Sequence, residues 1–197
     1  MVINNFDLII PHLHFTLDKS SVHFVQIIKR RKDKGNEDMK KDCRIVKTYY
    51  IDNLDYLESH KDEMIKLAEL FNARVYIHMT PCSKQQITNY CAKQFVEAAL
   101  SGEYNLYKSI INSACGSCRT KENRTFLVDI DNIEDSNDYE EILYNIPPEG
   151  RKVILTIPTV SGKHLICNPF NTQLFKKDYP NIDIHKHNPT LLYCNLK

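Results

Sequence analysis

The sequence lacks the features of a membrane protein or a secreted protein. No segment approaches the roughly 18 consecutive apolar residues that a membrane span requires. The N-terminal segment 1–7 has neither the charged start nor the apolar stretch of a signal peptide. The seven cysteines are an odd number, and they are too scattered for a disulfide framework. We therefore expect a soluble, cytoplasmic protein with reduced thiols and no membrane partner.

The chain also has little net charge, with 26 Lys and Arg against 25 Asp and Glu. The field of the whole molecule therefore gives no indication of nucleic-acid binding. The charges are unevenly distributed, however, because a basic cluster begins at 29–32 and continues to Lys47, while acidic residues gather at 134–141. The basic stretch has two interpretations, a solvated hairpin loop or an arm that follows the phosphates of a nucleic acid.

No internal repeat, low-complexity tract or flexible linker divides the 197 residues. With 42% hydrophobic residues, the chain can bury the core of a single compact unit. Strand patterns and helix patterns alternate, which indicates an α+β or α/β fold. We expect one domain, 1–197, with an N-terminal lobe over about 1–115 and a C-terminal lobe over about 116–197.

Local patterns predict the individual elements. Two β-rich runs form a long antiparallel hairpin, and the polar stretch 29–42 between them is expected to be a turn or a flexible loop. Asp52 or Asn53 caps a helix that ends near Asn72, and Ser83 with Gln86 forms a capping box for the next helix. The predicted strands cover 22–28, 43–51, 74–79, 125–130, 153–158, 164–167, 181–187 and 190–194, and two further helices cover 103–114 and 136–145.

An acidic pair ends the strand predicted over 125–130. Residues i and i+2 of a strand point to the same face, so Asp129 and Asp131 should project together while Ile130 enters the core. Two neighbouring carboxylates repel each other unless a cation or hydrogen-bond donors lie between them. Mg²⁺ and Mn²⁺ prefer such oxygen ligands, and two of these ions can bind both the attacking and the leaving oxygen of a phosphoryl transfer. The pair therefore predicts a metal site, although many strand ends carry such residues only as polar caps.

Two further segments carry candidate site residues. The turn 159–164 offers the Ser161 hydroxyl, the Lys163 cation and the His164 ring, which are groups that a triphosphate needs, and Gly162 would allow the backbone to approach a ligand closely. The run 181–186 places Asp183 on a predicted strand, where it could supply a third carboxylate. Asp178 is a nearby alternative. Each segment taken alone is equally typical of an ordinary hairpin or surface strand.

In combination and in order, these motifs resemble the archaeo-eukaryotic primase superfamily, which includes the primase-polymerases of phages and plasmids. The resemblance lies within 124–193 and rests on Phe126-Leu127-Val128-Asp129-Ile130-Asp131, Ser161-Gly162-Lys163-His164, Asn168-Pro169-Phe170-Asn171 and Ile184-His185-Lys186 through Asn188-Pro189-Thr190-Leu191-Leu192-Tyr193. It implies an RRM-like antiparallel catalytic sheet with a packed N-terminal α/β module. It also implies a nucleotidyltransferase encoded by a bacterium or a phage.

The resemblance assigns roles to single residues. Asp129, Asp131 and Asp183 would bind the catalytic Mg²⁺ or Mn²⁺, and His164, with Ser161 beside it, would contact the phosphates of the incoming nucleotide. Lys163 is added to the nucleotide site from its charge and position. The partners implied are nucleoside triphosphates, a DNA or RNA template and a helicase or other replication protein. A catalytically silent relative that binds nucleic acid is the alternative.

Two other patterns are kept as rival sites. Cys115 and Cys118 have the spacing of half a structural zinc site, which Cys82, Cys91, His78 or His60 would have to complete. His12 and His14, followed by Tyr104 or Tyr107, resemble the residues of rolling-circle (HUH-type) nicking endonucleases, in which two histidines bind the metal and a tyrosine attacks the phosphodiester. Otherwise, the thiols are core residues, and the two histidines are ordinary residues of an edge strand.

Overall fold

The computed structural model describes residues 2–103, 107–120, 124–131, 137–186 and 189–196. Its strands form two sheets, and the α+β class expected from the sequence is confirmed. The first sheet has the order β1-β10-β4-β2-β3, with β5 paired to β2. Its strands are β1 (Val2–Asn4), β2 (Ser21–Arg30), β3 (Cys43–Ile51), β4 (Arg74–Ile77), β5 (Cys82–Ser83) and β10 (Thr190–Asn195).

The second sheet has the order β7-β8-β6-β9, and all neighbouring strands are antiparallel. It contains β6 (Phe126–Ile130), β7 (Val153–Pro158), β8 (Lys163–Cys167) and β9 (Asp183–His185). The helices α5 (Tyr139–Asn145) and α6 (Thr172–Asp178) follow β6 and β8 along the chain. The elements from β6 to β9 therefore have the order of a split β-α-β unit.

The remaining helices are α1 (Phe6–Ile9), α2 (Leu54–Phe71), α3 (Lys84–Ser101) and α4 (Tyr107–Ser117), and a 3₁₀ helix covers Ile10–His12. The predicted caps explain the bounds of α2 and α3. Asn53 accepts a hydrogen bond from the backbone N–H of Tyr56, and Ser83 accepts one from Gln86. No helix in the described ranges is long and apolar enough to cross a membrane.

Buried apolar side chains hold the two sheets together. One core cluster joins α1 and α2 to Val25 and Ile27 of the first sheet and to Leu127 and Ile166 of the second. A separate cluster packs α5 and α6 against the other face of the second sheet. The face of the second sheet that carries Leu127 is therefore turned towards the rest of the molecule, and the two helices cover the opposite face.

The last strand, β10, does not belong to the sheet of the predicted C-terminal lobe. All of the second sheet lies within the range 116–197, as the expected C-terminal lobe requires. However, β10 lies in the first sheet, between β1 and β4. The second lobe is therefore a sheet of 126–185 with its helices, and the chain then returns to complete the first sheet.

The segment between β2 and β3 consists mainly of turns and bends, which is one of the two predicted alternatives, and buried polar side chains hold it in place. Asp33 and Asn36 are each only 2% exposed. The Asn36 side chain donates hydrogen bonds to the carbonyls of Arg30 and Asn72, and Asp33 forms an ion pair with Arg74. Polar residues can hold a loop in this way when their partners come from distant strands, which composition does not reveal.

Candidate active site

A cavity of about 960 Å³ lies between the two sheets. The second sheet and its loops contribute polar groups, whereas the first sheet contributes mainly cationic and aromatic ones. The residues from the second sheet and its loops include Asp129, Asp131, Thr159, Ser161, His164, Asp183 and His185, and those from the first sheet and its loop include Ile28, Arg30, Arg31, Lys32, Glu37, Asp42, Arg74 and Tyr76. An open cleft with carboxylates on one wall and more cations than carboxylates on the other can accommodate a ligand that carries both metal ions and phosphates.

Strand register brings three predicted site residues side by side. Within the second sheet, β6 lies between β8 and β9, and Asp129 is paired with His164 on one side and with Asp183 on the other. Residues paired across antiparallel strands point to the same face. The motifs that lie far apart in the sequence therefore meet on one face of the sheet. His164 lies beside Asp129 on the same wall, rather than opposite the carboxylates across the cleft.

The closest contact in this group joins His164 to Asp129. His164 Nε2 lies 3.2 Å from Asp129 Oδ1, and the two side chains are 13% and 25% exposed. This is an ion-pair distance, but Asp129 Oδ1 and His164 Nδ1 are both buried without a hydrogen bond of good geometry. Burying polar atoms without hydrogen bonds lowers the stability of the fold. Such atoms are expected where a ligand or an ion completes the site.

Charges around Asp129 favour its ionised form. Burial is the largest single influence and raises its pKa, but His164, His185 and Lys32 together outweigh burial, and the pKa of Asp129 is lowered overall. Lys32 belongs to the loop between β2 and β3, so this effect acts between the two walls of the cavity. An ionised carboxylate is the form that a metal ion binds.

Asp131 lies just beyond β6 and is held by the β7–β8 turn. The Ser161 hydroxyl donates a hydrogen bond of 2.6 Å to Asp131 Oδ1. Gly162 allows this contact, because a Cβ on Gly162 would lie 1.9 Å from the carbonyl oxygen of Ile130. The expectation that Gly162 makes room for a ligand is therefore corrected, since the group that approaches it is the backbone of β6.

Asp183 occupies the position expected of a third carboxylate, but it is more exposed than Asp129. Its side chain is 73% exposed, and Asp183 Oδ1 lies 3.6 Å from Lys176 Nζ. Asp178, the alternative, is the last residue of α6 and does not line the cavity. Of these two carboxylates, Asp183 is therefore the one that shares the face and the cavity with Asp129.

The donor set fits a hard cation in its chemistry. Asp129 and Asp131 offer oxygen ligands on one face, and the buried Asp129 Oδ1 lacks a hydrogen-bond partner. Within the described ranges, no group of three or more His, Cys, Asp or Glu side chains is arranged to hold a metal ion. Mg²⁺ is commonly bound by one or two carboxylates together with substrate phosphates and water, so two protein ligands are sufficient.

Lys163 does not belong to this cavity. It lies one residue before His164 on β8, and consecutive strand residues point to opposite faces. Lys163 instead lines a shallow depression near Asp138, Glu140 and Thr156 on the α5 side of the sheet. The placement of Lys163 beside His164 in one nucleotide site was therefore wrong.

Several cavity residues were not recognised as site residues from the sequence. Arg30 and Tyr76 lie on neighbouring strands of the first sheet, and Arg30 Nη1 donates a 2.9 Å hydrogen bond to the Tyr76 hydroxyl. His185 lies beside Leu127 on β9. The run of basic residues at 29–32 was visible in the sequence, but its position opposite Asp129 depends on how the two sheets pack.

The zinc hypothesis gains no support from the described residues. The side chain of Cys115 lies outside the described part of the chain, and His60 is on α2, stacked on Tyr56. Burial raises the pKa of Cys82 to about 12, which disfavours the thiolate that a metal requires. The zinc site therefore stays a prediction.

The histidine pair of the nicking hypothesis does not form the expected strand. His12 is the last residue of a 3₁₀ helix, and His14 follows it outside any strand, so the edge-strand interpretation is also wrong. Pro11 occupies the first turn of that helix, where its missing N–H is tolerated. Tyr104 and the side chain of Tyr107 lie outside the described part of the chain.

Comparison of the chain with protein-family models, with curated proteins and with solved structures finds no match. The motifs and their geometry are therefore the basis of any functional assignment.

Proposed function

We propose that this protein is a metal-dependent nucleotidyltransferase of the primase/polymerase type, which adds nucleotides from nucleoside triphosphates on a nucleic-acid template. The observation that carries the proposal is the register of the second sheet, which places Asp129 between His164 and Asp183 on the cavity face. The resemblance predicted that these three residues act together. Strand pairing puts them on one face although Asp129 and Asp183 are 54 positions apart in the sequence.

The fold also supports the proposal. The order β6-α5-β7-β8-α6-β9, with the strands arranged β7-β8-β6-β9, is what an RRM-like catalytic sheet requires. The helices cover one face, so the other face is available for the chemistry. Asp129 is on the central strand β6, which is paired on both sides and is therefore a rigid support for a site.

Each side chain has a distinct role in this mechanism. Asp129 and Asp131 would hold Mg²⁺ or Mn²⁺, with Asp183 nearby. When bound, the metal neutralises phosphate charge and favours ionisation of the attacking hydroxyl. His164 would donate a hydrogen bond to a phosphate oxygen from the cavity wall beside the carboxylates. Ser161 fixes the orientation of Asp131 through its hydrogen bond.

Primer extension tests the proposal. Purified protein is incubated with a primed template, nucleoside triphosphates and Mg²⁺ or Mn²⁺, and incorporation is compared with that of the double variant Asp129→Asn, Asp131→Asn. We expect metal-dependent incorporation by the wild type and its loss in the variant. The matched control is Glu58→Gln, Asp62→Asn, which removes two exposed carboxylates of α2 outside the cavity. Equal incorporation by the wild type and the Asp129, Asp131 double variant would refute the enzyme assignment.

One observation favours the second candidate, a catalytically silent nucleic-acid-binding protein. Asp131 Oδ1 already accepts a hydrogen bond from the Ser161 hydroxyl, so this carboxylate has a partner without any metal ion. This candidate predicts oligonucleotide binding without any incorporation. Oligonucleotide binding by the wild type without incorporation in either Mg²⁺ or Mn²⁺ would favour this candidate, whereas metal-dependent incorporation would exclude it.

A further inference from the structure

The loop between β2 and β3, residues 31–42, is called here the basic loop. The loop itself contains five Lys or Arg residues and four Asp or Glu residues, and the flanking strands add the cations Lys29, Arg30 and Arg44. Five cations of the loop itself are exposed, and they are Arg31, Lys32, Lys34, Lys40 and Lys41. A dense group of exposed cations in a chain with a net charge of only +1 is a local feature that attracts anions.

The basic loop meets the cavity at its first two residues. Arg31 and Lys32 line the cavity together with Arg30 at the end of β2, opposite the carboxylates of the second sheet. The cationic surface and the carboxylates therefore face a common space.

The basic loop is held in place by buried polar contacts. The Asp33 side chain is 1% exposed and the Arg74 side chain is 11% exposed. Besides their ion pair, Arg74 Nε donates a 3.0 Å hydrogen bond to Asp33 Oδ2. Asn36 ties the middle of the loop to the carbonyls of Arg30 and Asn72. Arg31 and Lys32 thus precede an anchored residue, and their positions at the cavity are fixed by the first sheet.

The cations extend beyond the cavity. Lys34, Lys40 and Lys41 are exposed on the same loop but do not line the cavity. A single nucleotide would fit within the cleft and would not reach these cations. The backbone of a nucleic-acid strand would extend beyond the cleft, with one negative charge per nucleotide. Arg31 forms an ion pair with Asp42, and both side chains are exposed, so phosphates can replace this pair at little cost in free energy.

Granted the proposed function, we infer that the basic loop binds the phosphate backbone of the single-stranded nucleic-acid substrate and guides it into the cavity, with Asp33 and Arg74 as positioning residues. The sequence left two interpretations of the basic stretch, a solvated hairpin loop and an arm that binds phosphates. This inference favours the arm. It also assigns the nucleic-acid strand to the first sheet and leaves the nucleotide to the second.

Oligonucleotide binding tests the inference without any need for catalysis. A fluorescent single-stranded DNA of about 16 nucleotides is titrated by anisotropy at several salt concentrations. We expect the double variant Arg31→Ala, Lys32→Ala to bind about tenfold more weakly at ~0.1 M salt. Its slope of log affinity against log salt should be less steep by about 1.4, because single strands contribute about 0.7 per neutralised phosphate.

The control is Lys66→Ala, Lys93→Ala, which removes the same charge from α2 and α3, outside the cavity. Its affinity and salt slope should match those of the wild type. If the two double variants bind equally, only net charge matters and the inference fails. In the Arg31, Lys32 variant, oligonucleotide binding should weaken more than the binding of a fluorescent nucleoside triphosphate does. If the Arg31, Lys32 variant lost nucleotide binding but kept its oligonucleotide binding, the assignment of the basic loop to the nucleic-acid strand would be wrong.

Asp33→Asn tests the positioning role. This change removes a negative charge, so a loop that acts by net charge alone should bind the oligonucleotide as tightly or more tightly. If Asp33 positions the loop, affinity should instead fall by about threefold or more while the folded state, checked by circular dichroism, persists. If Asp33→Asn unfolds the chain, the Arg31, Lys32 variant still decides the inference. A wild type that binds DNA through the loop but incorporates no nucleotide would refute the proposed function alone.

Discussion

The ring of His164 and the carboxylate of Asp129 meet across neighbouring strands, with 3.2 Å between His164 Nε2 and Asp129 Oδ1. The two residues are direct partners in the register of β8 and β6. Their contact follows from strand pairing rather than from any local motif. It also leaves buried polar atoms without hydrogen bonds, which a ligand in the cavity would satisfy.

His164→Ala should impair use of the nucleotide substrate more than it impairs folding. A hydrogen bond from a histidine to a charged group contributes about 1.5–3 kcal/mol, so we expect KM for the nucleoside triphosphate to rise about 10- to 100-fold. Steady-state primer extension at varied nucleotide concentration measures this. His14→Ala is the control, because the His14 side chain is exposed outside the cavity. An unchanged KM in the His164 variant would argue against a contact with phosphate.

Gly162→Ala should disturb the candidate site through the backbone. The new Cβ would lie 1.9 Å from the carbonyl oxygen of Ile130, so the turn must move away from β6 and the Ser161–Asp131 hydrogen bond must break. We expect a loss of about 1–3 kcal/mol in the free energy of unfolding, measured with urea, together with reduced incorporation.

Gly116→Ala is the matched glycine control. Gly116 lies in α4, and no atom outside its own helical turn lies within 4 Å of the position that a Cβ would occupy. Alanine favours helix over glycine by up to about 1 kcal/mol, so this variant should be as stable as the wild type or more stable. Equal destabilisation by both substitutions would contradict the steric explanation given for Gly162.

The ion pair of Asp33 and Arg74 should stabilise the fold far more than the exposed pair of Arg31 and Asp42. Removing one partner of a buried pair costs about 3–5 kcal/mol, because the other charge stays buried. An exposed pair contributes less than about 1 kcal/mol. Urea unfolding of Arg74→Met and Asp42→Asn should show this difference. Similar losses in the two variants would mean that Arg74 is solvated in the folded protein.

Two buried histidines should make stability depend on pH. Burial lowers the pKa of His78 to about 3, and it also lowers the pKa of His23. Between about pH 3 and 6.5 the unfolded chain therefore binds more protons than the folded chain, and stability falls as the pH is lowered through this window. The slope should approach about 1.4 kcal/mol per pH unit for each histidine.

Unfolding curves between pH 7 and pH 4 measure this slope. His78→Gln should flatten the curve, whereas His12→Gln, which changes a histidine outside this pair, should leave it unchanged. A His78→Gln protein with the wild-type slope would show that other groups cause the acid sensitivity.

Local signals in the sequence were sufficient to predict several elements. Asn53 and Asn72 set the bounds of α2, because one caps the first turn and the other adopts the left-handed conformation that ends the helix. The strand that ends in Asp129 and Asp131 was also predicted, since period-two alternation is a property of adjacent residues. These features depend on a few neighbouring side chains.

The remaining features depend on contacts between distant segments. The insertion of β10 between β1 and β4 has no local signal, and neither does the position of Lys32 opposite Asp129. Helix α6 was missed although Asn171 caps its first turn. The error at Lys163 has a different origin, because the alternation that was applied to Asp129 and Asp131 also separates Lys163 from His164.

The return of the chain to the first sheet limits how far the cavity can open. His185 ends β9 on one wall, and Thr190 begins β10 in the other sheet, with four residues between them. An extended chain advances at most about 3.5 Å per residue, so this tether spans less than about 18 Å. The connection between β9 and β10 therefore limits how far the two walls of the cavity can separate at that end. Any opening of the cavity would be smallest at the end where β9 and β10 are joined.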